Sequence, residues 1–278
     1  MPLMAAGRGA ASAAFAGRIL IMAALPREVR PFLRRVKAKA RRDLGLPAWE
    51  WEAGAAVVAL SGMGQAAARR AGEDLVARCR PELLVSLGFG GALTPGLAAG
   101  DLVLGETFWR YRPDTGALQP GPRPACPRPL PRLCRALTQA GLTAVTSSLV
   151  TTTRIIHKER QGVPLAGLAR PVLDLETIAL AELAADRGLT FLSLRAITDT
   201  AGEEIPAFLH AAGVQGASVG VGAALRWLAA DFRRVGDLLH LWRRSRLAAH
   251  ALADALAVLW PLVSAAGRQL EGQPAQEG

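Results

Sequence analysis

The chain has 278 residues, 51% of them apolar and 5% aromatic, with a formal net charge of +10. That length holds one large α/β domain or two small ones, and the charge favours anionic partners unless it is only arginine on solvated faces. Cys79, Cys126 and Cys134 form no CxxC pair, and His157, His210, His240 and His250 show no HExxH spacing, so a metal site or disulfide framework is not expected and a reducing cytoplasm is the natural compartment.

Residues 1–17 are small and apolar but interrupted by Arg8, which reads as a disordered leader, or as a mis-assigned start with Met4 or Met22 downstream, and not as a signal peptide. Arg18–Leu25 is a continuous apolar run, short enough for a buried strand. Pro26–Arg42 follows as a helix with eight Arg or Lys residues. Ala55–Ser61 predicts the next strand, turned by Gly62-Met-Gly64 into a helix over Gln65–Cys79. Glu82–Leu87 is a third strand, ending in a glycine-rich turn at Gly88–Gly91. The uncharged run Leu83–Gly100 is long enough to span a membrane, but its five glycines and Pro95 mark loop chemistry. Asp101–Glu106 predicts a fourth strand. Seven prolines in 112–131 predict a surface excursion without an element. A helix over Arg132–Ala140 and a strand over Ala144–Leu149 follow. Val172–Leu175 and Thr190–Ala196 are the last strands, with a helix Glu176–Arg187 between them, closed by Gly188. The chain then reads as helical from about Ala217, with a disordered polar tail at 267–278.

Apolar strands alternating with helices predict a three-layer α/β/α fold with a central mixed sheet, plus a helical C-terminal extension. The domain reading is a catalytic domain over 18–230, a basic amphipathic extension over 231–266, and the two disordered ends. In such sheets ligands lie beyond the carboxyl ends of the strands. The turns there carry Glu28, the Gly62-Met-Gly64 turn, the stretch Gly88, Phe89, Gly90 and Gly91, the pair Leu175-Glu176, and Asp199. Each alone has a plain structural reading: a tight turn, close packing, a helix start, a cap, a solvated charge. Their order and spacing carry the signal.

That order resembles the nucleoside phosphorylase/nucleosidase superfamily over about residues 18–230. The quoted stretches are ILIMAALPREV, SGMGQAAA, SLGFGGALTPGLAAGDLVL, LDLE and RAITD. The resemblance implies a nucleosidase with no cofactor and a small-molecule nucleoside substrate. Asp199 would act as the general acid on purine N7, and Glu28 would position or deprotonate the attacking water. Glu176 would hold the ribose 2′-OH and stabilise an oxocarbenium-like cation, with Leu175 and the Gly88–Gly91 stretch lining the sugar. Glu28 in the first-strand loop disfavours a phosphate dianion there, so water is the expected nucleophile, while Arg27 leaves phosphorolysis open. The chain departs from the methylthioadenosine nucleosidases at Phe89 (serine there), Leu175 (methionine there) and Thr198 (serine there). It also lacks an aromatic residue between Ser147 and Ile155.

The extension carries five Arg against two Asp over 231–246, with Trp242, Trp260 and a series of leucines near helical spacing. This pattern predicts a helix lying on an anionic membrane surface, or else helices docking on the domain or on a second subunit. The basic ending is similar to the hopanoid-associated nucleosidases, which implies release of adenine from adenosylhopane. The alternatives are methylthioadenosine/S-adenosylhomocysteine nucleosidase, futalosine hydrolase, purine nucleoside phosphorylase, and a non-enzymatic nucleotide-binding module. Nucleic acid is not expected as a partner, because the basic stretches lack interleaved aromatics. The sequence does not give the oligomeric state; family members are often dimers or larger, so a homo-oligomer is an expectation from analogy alone.

Overall fold

The computed structural model describes residues 18–158, 163–203 and 233–264. The elements in chain order are β1 (Ile19–Ala23), α1 (Pro26–Arg35), β2 (Lys39–Arg41), β3 (Ala48–Trp51), β4 (Ala56–Leu60), α2 (Gln65–Cys79), β5 (Leu83–Ala92) and β6 (Leu102–Arg112). They continue with β7 (Ala117–Pro120), α3 (Leu130–Gln139), β8 (Ala144–Thr151), β9 (Val172–Asp174), α4 (Thr177–Arg187), β10 (Thr190–Asp199) and α5 (Arg233–Ser264).

Every residue of β1 is buried, and β1 runs parallel to β4 on one side and to β5 on the other. A strand covered on both faces reads as an unbroken apolar run, which is how it is visible in the sequence. β10 lies parallel to β5 and antiparallel to β6. β6 is parallel to β8, β8 is parallel to β9, and β9 returns antiparallel to the end of β5. Five strands therefore close a ring, from which β1, β4, β3 and β2 extend as an open wing. Helices α2 and α4 cover one face, around Met22, Leu75, Leu84, Leu180 and Leu183. Helices α1, α3 and α5 cover the other, around Ile21, Val85, Leu133, Leu194, Leu252 and Leu259. The architecture is the expected three-layer mixed α/β fold.

Several boundaries differ from expectation for identifiable reasons. The basic helix predicted over 26–42 ends at Arg35, with Val36 as its C-cap and Lys37 at φ 50°. Residues 39–41 turn back as β2 and pair antiparallel with β3, a hairpin whose partner is contributed by Ala48–Trp51. The proline-rich excursion holds β7, which pairs with the far end of β6, and α3 begins with Pro131 in its first turn, where a missing N–H costs nothing. Glycines 88–91 are not a turn: they are the last stretch of β5, paired to β10 and β9. Residues 1–17, 204–232 and 265–278, including the predicted leader, the start of the helical tail and the polar end, lie outside the described residues.

Over much of its length the C-terminal extension takes the second of its two expected placements, docked on the domain. Segment His240–Ser264 is long and apolar enough to cross a membrane, yet Leu252, Leu256, Leu259, Trp260 and Val263 are buried in the core between α5 and the sheet. Trp260 lies 4.0 Å from Trp51, ring centre to ring centre, and Trp51 meets Phe32 edge-on at 5.1 Å. Arg35 and Asp254 tie α1 to α5 at 2.6 Å. This apolar face is therefore taken up by the domain itself and is not free for lipid. Leu252→Ala is expected to lower the unfolding free energy by about 2–5 kcal/mol, as for other fully buried leucines. Denaturant titration checks this; a loss under about 0.5 kcal/mol would make α5 a surface appendage.

Candidate active site

The site forms where β1, β5, β9 and β10 end. Pro26 starts α1 with its φ already helical, and Glu28 stands at the third helical position. The Leu25 N–H donates to Glu28 Oε2 at 2.7 Å, the return half of a capping box. Glu28 Oε1 accepts a second bond, from the Phe89 N–H of β5 at 3.2 Å. The residue is 5% exposed, so it is not a solvated member of a charged helix. Burial pushes its carboxyl above the usual range, opposed by the two N–H donors and the fields of Arg195 and Arg27.

Glu176 sits at the N-cap of α4 but does not cap it. Its Oε1 instead accepts the Gly64 N–H at 2.7 Å, across the sheet edge from the start of α2. Gly64 aims that N–H from φ 90°, a conformation only glycine adopts freely, so the Gly-Met-Gly turn is both a turn and a carboxylate clasp. Burial first, then the charges of Asp174 and Glu28, push the Glu176 carboxyl up to about 8. The Gly64 N–H and Arg195 oppose this.

Asp199 is the last residue of β10 and 6% exposed. The register of β10 against β5 slips between Ile197 and Asp199, leaving Thr198 as the extra residue. A bulge of this kind re-aims the side chain that follows it. Thr198 Oγ1 donates to Asp199 Oδ1 at 2.8 Å, and Lys158 Nζ lies 2.5 Å from Oδ2. The glycines beneath make room for these groups. A Cβ on Gly88 would stand 3.1 Å from Glu28 Oε1, one on Gly90 2.5 Å from Val172 Cγ1, and one on Gly91 2.4 Å from Asp199 Oδ2. Gly91→Ala is expected to displace the Asp199 carboxyl and lower turnover about 10²-fold while the protein stays folded. Steady-state rates alongside circular dichroism check this; undiminished turnover would show that the carboxyl position is not critical.

The three carboxylates predicted from sequence thus come together at one sheet edge, on α1, at the start of α4 and on β10. Phe89 is half-buried on β5, with Arg27 standing 6.0 Å over its ring, and Leu175 is half-buried beside Glu176. Sequence reasoning missed the scaffold under them. Arg195, 1% exposed, pairs with Asp174 at 2.9 Å and donates to Ser86 Oγ and Thr177 Oγ1 at 2.7 and 2.6 Å. Asp174 in turn accepts from Thr151 Oγ1 at 2.6 Å and from the Thr177 N–H at 3.2 Å, fixing the start of α4. A lone Arg inside an apolar strand was the available signal for this network. Lys158 had none, since its partner is 41 residues away.

A family model described as the Phosphorylase superfamily matches residues 18–225. The chain belongs to this superfamily. Over 162 residues it is 30% identical to a 5′-methylthioadenosine/S-adenosylhomocysteine nucleosidase of Geobacillus kaustophilus, covering 54% of this chain and 68% of that protein. Its fold is also that of the Helicobacter pylori 5′-methylthioadenosine/S-adenosylhomocysteine nucleosidase complexed with a pyrrolidine ligand, at TM-score 0.63 and 14% identity, covering 87% of this chain and 98% of that one. The Helicobacter pylori futalosine hydrolase matches at TM-score 0.63 and 15% identity, covering 87% and 97%. As a member of the phosphorylase superfamily this chain is an enzyme, and the relatives just named are nucleosidases. Among its described residues no cluster of three or more His, Cys, Asp or Glu could hold a metal ion.

Proposed function

We propose that this superfamily member hydrolyses the N-glycosidic bond of an adenosine-type nucleoside. The water oxygen bonds to C1′ as the C1′–N9 bond breaks, and the electron pair passes to the base. Glu28 accepts the water proton, Glu176 holds the 2′-OH and stabilises the cationic sugar, and Asp199 handles the proton going to N7. General acid and base roles need carboxyls with tuned proton affinity in a dry site. The observation that carries the reading is Glu28: among the described residues it is a buried carboxyl group bonded to two backbone N–H groups, in the first turn of α1 after β1, where its charge would oppose a phosphate dianion.

The finer reading is that the nucleoside is adenosylhopane, met at a membrane surface. Two features support it. Trp242 and Leu247 are 55% and 53% exposed, and the Arg246 guanidinium lies 4.6 Å over the Trp242 ring. Leu247 also packs against Gly100, whose N–H bonds Ile197 O, and Arg244 pairs with Glu203. Both contacts set this half of α5 beside the site edge.

The test is base release from adenosylhopane, 5′-methylthioadenosine and futalosine, each with and without phosphate, followed by chromatography. Release without phosphate is expected. A strict phosphate requirement would convert the reading to phosphorolysis, and release from none of the three would overturn it. For the surface, a Trp242→Ala, Leu247→Ala double variant is expected to bind anionic vesicles less than the parent; equal binding removes the membrane contact.

A further inference from the structure

Lys158 follows β8 and meets the end of β10 with its side chain 6% exposed. Its Nζ stands 2.5 Å from Asp199 Oδ2, donates to Thr200 O at 2.8 Å and approaches Asp199 O at 3.5 Å. The ammonium is thus tethered by backbone carbonyls and held against the carboxylate. Asp199 Oδ2 is buried and makes no aligned hydrogen bond despite that contact, so its accepting capacity is unspent. Desolvating two charges costs several kcal/mol per ion, and a buried pair is weak evidence of a stabilising role. This pair also adjoins the carboxylate assigned to the base and not the core. The other charged groups facing this end of the sheet, among the described residues, are already engaged. Glu28 is bound by backbone N–H groups, Glu176 by Gly64, Arg195 by Asp174, and Glu203 by Arg244 with His240 at 3.8 Å.

We propose that the Lys158–Asp199 ion pair, and not Asp199 alone, holds the proton delivered to the leaving base, with Lys158 a positioning residue that acts through Asp199. This rests on the nucleosidase reading above. As C1′–N9 breaks and its electron pair enters the purine, the Asp199 carboxylate takes a proton from the Lys158 ammonium and passes one on to N7, which leaves a carboxylate beside a neutral amine. The pair passes from neutral to one negative charge, matching the proton gained by the base. The proton lost by water to Glu28 returns through solvent to Lys158 after products leave.

Two substitutions separate holding a proton from holding a shape. An arginine stays charged across the working pH range, so Lys158→Arg keeps an ion pair but has no transferable proton. Lys158→Met removes both. For each, kcat on the nucleoside identified above is expected to fall about 10²-fold, the span of a general-acid contribution, with KM changed far less. In Lys158→Met the rate should also decline as pH rises, because Asp199 must then take its proton from solvent. Wild-type kcat and pH profile in Lys158→Met overturn the proposal. Wild-type kcat in Lys158→Arg also overturns it, leaving only a structural pair. Free adenine supplies a readout independent of turnover. Calorimetric titration in two buffers of different ionisation heat counts protons exchanged on binding, and Lys158→Met is expected to change that count. If the wild type binds adenine but releases base from no nucleoside, the nucleosidase reading falls and the proton count alone judges Lys158: an unchanged count overturns it. A wild type that binds no adenine overturns both.

Discussion

Asp199→Asn is expected to reduce base release by about 10²–10⁴-fold while nucleoside binding changes little. Asparagine keeps the size of the side chain and an acceptor for Thr198 Oγ1, which lies 2.8 Å from Oδ1. It removes the charge that meets Lys158 and the capacity to pass a proton. On the proposed reading binding rests on groups the substitution leaves in place, at Glu176 and along β5, so the loss is expected to fall on kcat. Single-turnover rates with a purine nucleoside, set beside its dissociation constant, check this. Undiminished single-turnover chemistry would remove Asp199 from the acid role. A loss confined to binding would recast it as a recognition residue.

Glu176→Gln is expected to abolish useful turnover and yet raise stability, and the pH dependence follows from the site. In the folded protein the Glu176 carboxyl is pushed up to about 8, chiefly by burial and next by Asp174 and Glu28. In the unfolded chain it titrates near the ordinary 4.5. The folded state therefore binds this proton more tightly. Its contribution is fully present below about pH 4.5 and is lost as pH rises through about 8, by at most about 1.4 kcal/mol per pH unit. Glutamine is neutral throughout and still offers Oε1 to the Gly64 N–H. The melting temperature of Glu176→Gln should thus exceed that of the parent by several degrees near pH 8, and the gap should shrink toward pH 5. Thermal unfolding at the two pH values checks it. An equal gap at both would mean that no raised carboxyl exists there. A loss of activity coupled to a gain in stability is what a strained working site shows.

The fold was legible because its centre is simple. β1, β4 and α2 are pure apolar runs or clean helical periods, with glycine or proline at their ends, and their limits were read to within two residues. The errors fall where pairing overrides local pattern. Gly88–Gly91 looks like a turn because four residues carry three glycines; it is strand because β10 and β9 supply its hydrogen bonds, and its missing side chains make room for carboxylates. Lys39–Arg41 looks helical until β3 is known to lie beside it. The basic, leucine-rich α5 carries one signature for a lipid surface and for a protein core, and Trp51 on β3, which meets Trp260, is invisible to any local window. At the site the three carboxylates could be picked out because each stands at or within five residues of a strand's carboxyl end. Their supports are contacts across tens of residues: Arg195 with Asp174 leaves only the trace of a lone Arg in an apolar strand, and Lys158 with Asp199 leaves none.

The ring of strands has a consequence for how the enzyme comes into being. β10 is inserted between β5 and β6, so the last strand in chain order among the described residues is also the one that closes the ring. Its pairing with β5 joins residues more than 100 positions apart, a contact of high sequence separation that forms slowly. On the proposed mechanism, Glu28 and Glu176 have no acid opposite them until Asp199 has been synthesised and that strand has threaded into place. A growing or truncated chain is then expected to be catalytically silent, with the onset of base release during refolding marking the final closure of the sheet rather than its first collapse.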